Sequence, residues 1–250
     1  MRRLGGRSDA DLAPVARYVR HRHPGRACAR GPGAHGRSRA PASERRRSQV
    51  LARSARGRRR ASRPLELAEP TFSFAPLREE DLGLIRTWLL RTHVRRWYDD
   101  VATEAYPDDA IADDLHAIHG DDPTDLYVIK LDGRPIGEIQ SYRIDDHPEY
   151  AAMVALGRPA LGIDLFIGEP ELIGRGHGPA LIRAFLRDVA FPRYGVDLCV
   201  IGPSRSNAAA IRAYEKAGFR FLKNYLEPDA REPEHYLMQL TRAELDAGEV

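Results

Sequence analysis

Cysteine is nearly absent from this 250-residue chain. Cys28 and Cys199 are its two thiols, too few for a disulfide framework and without a paired metal-ligand spacing, so no metal site is expected. Long apolar runs are missing as well. No stretch reaches the roughly 18 apolar residues of a membrane helix, and the amino terminus lacks the apolar centre of a secretory signal. The compartment these absences point to is the cytoplasm, although an Arg-rich, acid-poor amino terminus also resembles an organelle targeting peptide.

Residues 1–64 contain no lysine and only three acidic residues, Asp9, Asp11 and Glu44, against 19 arginines, a surplus of 16 positive charges. Large apolar residues are sparse there, with Leu12, Val15, Tyr18 and Val50 among the few. Such a segment cannot bury enough surface to offset the entropy of ordering, which predicts an Arg-rich disordered extension over 1–68. Two readings of it stay open. The runs ERRR (44–47) and RGRRR (56–60) fit an arm for nucleic acid or an anionic membrane, while the lack of interleaved aromatic platforms fits a charged tail or an upstream extension. Residues 65–250 have the opposite balance, 20 basic residues against 33 acidic ones.

From residue 69 to 245 the turn signals become regular and predict one mixed α/β domain. Strands are expected at 72–77, 126–131, 136–144, 161–167, 198–201, 219–225 and 235–240. Asp132-Gly133 marks a hairpin between the second and third. Asp81 is a candidate cap for a helix carrying Leu82, Ile85, Trp88 and Leu89, and another helix follows Pro107. Leu161 to Ile167 (LGIDLFI) alternates, with an aliphatic stripe on one face and Asp164 on the other.

That strand leads into ELIGRGHGPALIRAFL (171–186), in which Gly174, Gly176 and Gly178 precede an apolar stripe of helical spacing. A glycine turn feeding a helix presents free backbone N–H groups and the positive end of the helix dipole to one spot, an anion site. Arg175 adds a formal charge. Pro179 and Ala180 stand where a phosphate-binding P-loop needs Lys and Ser or Thr, and the glycine spacing is wrong for the dinucleotide fingerprint.

Downstream, Ser206 to Phe219 reads SNAAAIRAYEKAGF, with Asn207 opening a helix that Gly218 closes. With GRGHGPAL and GIDLF, this pattern resembles the Gcn5-related N-acetyltransferase (GNAT) superfamily, and more narrowly its aminoglycoside 6′-N-acetyltransferases, over about Phe72 to Leu240. Softer marks of the subfamily are Trp97-Tyr98, Gln140-Ser141-Tyr142 and Gly162-Ile163-Asp164.

The resemblance implies a mostly antiparallel twisted sheet flanked by about four helices, with acetyl-CoA as co-substrate. Its pyrophosphate would lie on the turn (Gly174, Arg175, Gly176, His177, Gly178, Pro179, Ala180), its pantetheine arm along Leu165, Phe166 and Ile167, and Asn207 nearby. Tyr214 would protonate the departing thiolate and Asp164 would act as base or anchor for the substrate amine. Trp97, Tyr98 and Tyr142 would line the substrate site, joined by acidic groups such as Asp99, Asp100, Glu104 and those of 227–234. The implied substrate is a polycationic amine, and the assembly a monomer or homodimer.

The chain departs from the family pattern twice. Gly202-Pro203 replaces an acidic residue before the proline, and Ile173 replaces a Gln or Arg ahead of the glycines. Acylation of a lysine-derived hydroxylamine for a siderophore, and nucleic-acid binding through the Arg-rich arm, are the competing readings.

Overall fold

A computed structural model of the protein describes residues 70–99, 105–228 and 230–248. The Arg-rich segment, with both readings made of it, lies outside the described residues, as do Asp100 and Glu104.

The described chain forms one seven-stranded sheet in the order β1-β2-β3-β4-β5-β7-β6. β1 is Phe72–Pro76, β2 Thr124–Leu131, β3 Arg134–Arg143 and β4 Leu161–Ile167; β5 is Leu198–Ile201, β6 Arg220–Leu226 and β7 Glu234–Thr241. Asp132 and Gly133 both have positive φ, +51° and +81°, the turn that matches the twist of a two-residue hairpin and delivers β3 antiparallel to β2. Every neighbouring pair is antiparallel except β4 and β5. Those two run parallel and pair only at Leu161 with Cys199 and Gly162 with Val200, and beyond that point they separate.

Helices cover both faces. α1 (Leu82–Leu89), α2 (Thr92–Tyr98) and α3 (Asp108–His119) precede β2, and α4 (Pro148–Val154) follows β3. α5 (His177–Phe185) continues through a π turn at Leu186–Ala190 into α6 (Phe191–Tyr194), α7 (Ala208–Ala217) follows β5, and α8 (Arg242–Ala247) closes the chain. This is more helix than the four segments expected. α2, α4 and α8 have seven, seven and six residues, too short for helical periodicity to stand out. Asp81 does not cap α1 as its position suggested: its carboxylate accepts from the Arg78 N–H (3.1 Å), closing a 3₁₀ turn.

The alternation of β4 sorts its side chains. Leu161, Ile163, Leu165 and Ile167 pack with Leu181, Ile182 and Phe185 of α5 and with Tyr214 and Ala217 of α7. On the other face Phe166 meets Trp88 of α1 and Tyr98 of α2 edge to face. Asp164 shares that second face, beside an aromatic cluster of Tyr142, Tyr150 and Tyr225. Among the described residues no helix is long and apolar enough to cross a membrane, and no group of His, Cys, Asp and Glu converges as a metal site.

Candidate active site

β3 and β4 are in a register that sets Gln140 opposite Asp164 and Tyr142 opposite Gly162. Asp164 is 2% exposed, and its Oδ2 accepts from Gln140 Nε2 (2.9 Å) and Tyr142 Oη (3.1 Å). Two donors on one oxygen fix the direction of the carboxylate. Gly162 makes the second bond possible, because a Cβ there would stand 2.5 Å from Tyr142 Cε2, inside the ring's seat. The two short motifs QSY and GID are thus one structural unit across two strands. Tyr142, expected as a wall for substrate, is buried and serves instead as a donor to Asp164.

Tyr214 comes from α7. Asn207 starts that helix, its Oδ1 accepting from the Ala210 N–H (3.1 Å), and Gly218 ends it at φ +105°. This places the Asn207 oxygen in the helix cap. The Tyr214 ring is fully buried and its hydroxyl has no hydrogen-bond partner among the described residues. An unmatched buried hydroxyl costs about 1–3 kcal/mol, so this one is poised for an external acceptor. Burial, and after it the charge of Asp164, pushes the phenol well above its ordinary pKa. Tyr214 is therefore a neutral donor within electrostatic reach of the carboxylate.

The separation of β4 from β5 leaves one edge of β4 without a partner strand. Gly168 N–H donates to Ile136 O on β3 (2.7 Å), so by alternation the backbone of Phe166 and Asp164 faces β3, and that of Ile163, Leu165 and Ile167 faces the open edge. Of the three residues expected to line the cofactor arm, Leu165 and Ile167 offer backbone groups there, while Phe166 turns its backbone to β3 and its ring into the core. His93 of α2 bonds the Ile167 carbonyl through Nε2 (3.1 Å), a contact that no sequence motif announced.

The edge runs towards the glycine turn. Gly174 and Gly176 are left-handed, with φ of +72° and +83°, and Gly174, Arg175 and Gly176 are exposed. Gly176 precedes α5 and no side chain caps that helix start, so its first N–H groups are turned to the surface. His177 packs edge-on against Phe72 and Gly178 is buried, while Pro179 and Ala180 continue the first turn. The described residues thus bring together an open strand edge, an exposed glycine turn at a helix start, and a buried carboxylate and a buried phenol close enough to interact electrostatically.

That combination is matched among known proteins. The model of an acetyltransferase (GNAT) domain fits residues 78–225. The chain belongs to the GNAT acetyltransferase family. An aminoglycoside N(6′)-acetyltransferase type 1 of Klebsiella pneumoniae is 31% identical over 176 residues, covering 66% of this chain and 81% of the relative, and one of Serratia marcescens matches equally. The solved structure of AAC(6′)-Ib with ribostamycin and coenzyme A has TM-score 0.63 at 29% identity, over 72% of this chain and 98% of that one.

The remaining candidates of this GNAT chain separate into two groups. Trp97 is half-buried, Arg96 stacks on it at 4.8 Å, and its buried indole N–H has no partner among the described residues. Tyr98, expected beside it on the substrate wall, is buried against Phe166 (centroids 5.0 Å apart) and supports β4 from behind. Asp99 is buried and paired with Arg95 (3.0 Å), and Glu227 is buried next to His235. These carboxylates are structural partners rather than an exposed acidic rim.

Sequence reasoning did not find Tyr150 and Tyr225. The Tyr225 hydroxyl fills the space a Cβ at Gly202 would take, and the Tyr150 hydroxyl would lie 3.4 Å from it. Where the family resemblance led to the expectation of an acid, this chain has a glycine, and a tyrosine from β6 occupies the space its side chain would need. Only the unusual Gly202-Pro203 pair marked the spot in the sequence.

Proposed function

We propose that this acetyltransferase moves the acetyl group of acetyl-CoA to the 6′-amine of an aminoglycoside. The observation that carries the reading is the parting of β4 from β5 beside a buried carboxylate, Asp164, and a buried phenol without a partner among the described residues, Tyr214, close enough for the carboxylate's charge to act on it. The names of the relatives supply the substrate class. The excess of 13 acidic over basic residues in 65–250 favours a polycation by long-range attraction.

Acetyl-CoA, when bound, supplies an activated thioester carbonyl. The exposed amides around Gly176 hold phosphate without needing a side chain at Ile173, and the open edge of β4 orients the arm. Asp164, oriented by Gln140 and Tyr142, anchors the substrate amine, which attacks in its neutral form after losing one proton to solvent, and accepts the second proton that the nitrogen sheds as the C–N bond forms. A carboxylate is a weak base, but the nitrogen becomes strongly acidic as it acylates, so a weak base suffices. Tyr214 Oη donates its hydrogen to the departing sulfur.

The test follows thiol release by the full chain from acetyl-CoA, with aminoglycosides that carry a 6′-amine, aminoglycosides with a 6′-hydroxyl, and lysine-derived hydroxylamines. Turnover confined to the 6′-amino drugs is the expected result. Turnover of the hydroxylamines alone would replace it with the siderophore reading.

A further inference from the structure

We propose that His93 is a positioning residue that ends the cofactor-binding edge of β4 at Ile167 and thereby fixes the register of the acyl-CoA arm. The inference rests on the acetyl-CoA reading above and concerns a residue with no place in that chemistry.

Ile163, Leu165 and Ile167 are the residues whose backbone groups face the open edge. A strand edge repeats every two residues, so an arm with two amides finds the same pattern of donors and acceptors one pair further along. Such a slip displaces the thioester by roughly 7 Å, two strand residues, away from Asp164 and Tyr214. The protein removes the alternative register with its own side chain. His93 is buried, and its Nε2 lies 3.1 Å from the Ile167 oxygen, so that carbonyl is already occupied. The next carbonyl, Gly168 O, is taken by Arg91 (2.7 Å), which also pairs with Glu169 (2.8 Å). Two side chains from the start of α2 therefore hold consecutive carbonyls where the strand gives way to the glycine turn.

The imidazole has the right state for this task. Burial lowers its pKa, outweighing the Ile167 bond that favours the charged form, and Arg91 lowers it further. A neutral ring facing a carbonyl must carry its proton on Nε2, so it donates one well-directed bond.

Calorimetric titration of the full chain and of His93→Phe and His93→Gln tests this, with two ligands. Coenzyme A carries the pantetheine arm; adenosine 3′,5′-bisphosphate lacks it. His93→Phe frees the Ile167 carbonyl and adds a register without removing one, so coenzyme A affinity should hold or rise, by up to about tenfold for one added hydrogen bond, with the bisphosphate unchanged. Saturating turnover with acetyl-CoA should fall in the same proportion, because slipped complexes bind without reacting. His93→Gln retains an N–H donor and should recover most of the turnover. Saturating turnover equal to that of the unaltered chain, or weaker coenzyme A binding in His93→Phe, would overturn the role of His93 alone. No coenzyme A binding by the unaltered chain would overturn the acetyl-CoA reading itself. If His93→Phe fails to fold, the ¹⁵N-labelled histidine of the unaltered chain decides: its Nε2–H signal should persist at coenzyme A saturation, and its loss would sink the proposal.

Discussion

In the proposed reaction Asp164 and Tyr214 divide the base and acid work by environment. One is a carboxylate with two donors on the same oxygen, the other a phenol without a partner among the described residues. Tyr214→Phe keeps the packing and removes only the unmatched hydroxyl, so kcat should fall roughly 100-fold while stability holds or rises, by up to about 1–3 kcal/mol. Unchanged turnover under conditions where acetyl transfer limits the rate would take the phenol out of the mechanism. Asp164→Asn should lower kcat or raise the KM for the drug, and steady-state kinetics that match the unaltered chain would reduce Asp164 to a structural group. Both residues were legible in the sequence, Asp164 from strand alternation and Tyr214 from the motif after Asn207. Their partners were not. That Tyr142 reaches Asp164 depends on the β3–β4 register and on the gap at Gly162, neither of which a linear pattern encodes.

At the scale of elements, the proposed function assigns the cofactor side of the site to β4 and the turn after it. Gly176 has φ +83°, where a β-branched residue is strained, and its surroundings are open, so the strain is local to the backbone. Gly176→Val should raise the dissociation constant of coenzyme A more than tenfold while the sheet keeps its circular dichroism. Undiminished binding would dissociate the turn from phosphate recognition. The bounds of β4 follow directly from its alternation, and the hairpin from Asp132-Gly133. α2 and α4 escaped notice because seven residues make less than two turns, and their apolar positions, Val94 and Tyr98 or Tyr150 and Val154, are too few to show a period. Yet α2 supplies His93 and Trp97, and α4 supplies Tyr150. The elements hardest to read are those that finish the site.

For the whole molecule, three phenols set an upper pH limit. Tyr142, Tyr214 and Tyr225 are held well above their ordinary pKa, each chiefly by burial. In the unfolded chain they ionise near pH 10, whereas in the folded protein they stay protonated to higher pH. Below about pH 9 both states hold the same phenolic protons, and these groups give almost no pH dependence. Above about pH 10 the unfolded state binds fewer protons, so stability falls with rising pH by up to about 1.4 kcal/mol per phenol per pH unit, roughly 4 kcal/mol for the three. Stability read from urea midpoints at pH 9, 10 and 11 should fall by about 2 kcal/mol over the first interval, half of it from the buried Cys199 thiol, whose pKa is also raised, and more steeply over the second. A midpoint constant up to pH 11 would mean that the phenols are solvated in the native state.

The contact between Tyr225 and Gly202 also limits substitution. Any side chain at position 202 must displace a tyrosine hydroxyl delivered from another strand, at a cost of about 1–3 kcal/mol. Positions 202 and 225 are therefore coupled across β5 and β6: what one can hold depends on the size of the other, and a side chain at 202 costs less once a smaller residue has replaced Tyr225.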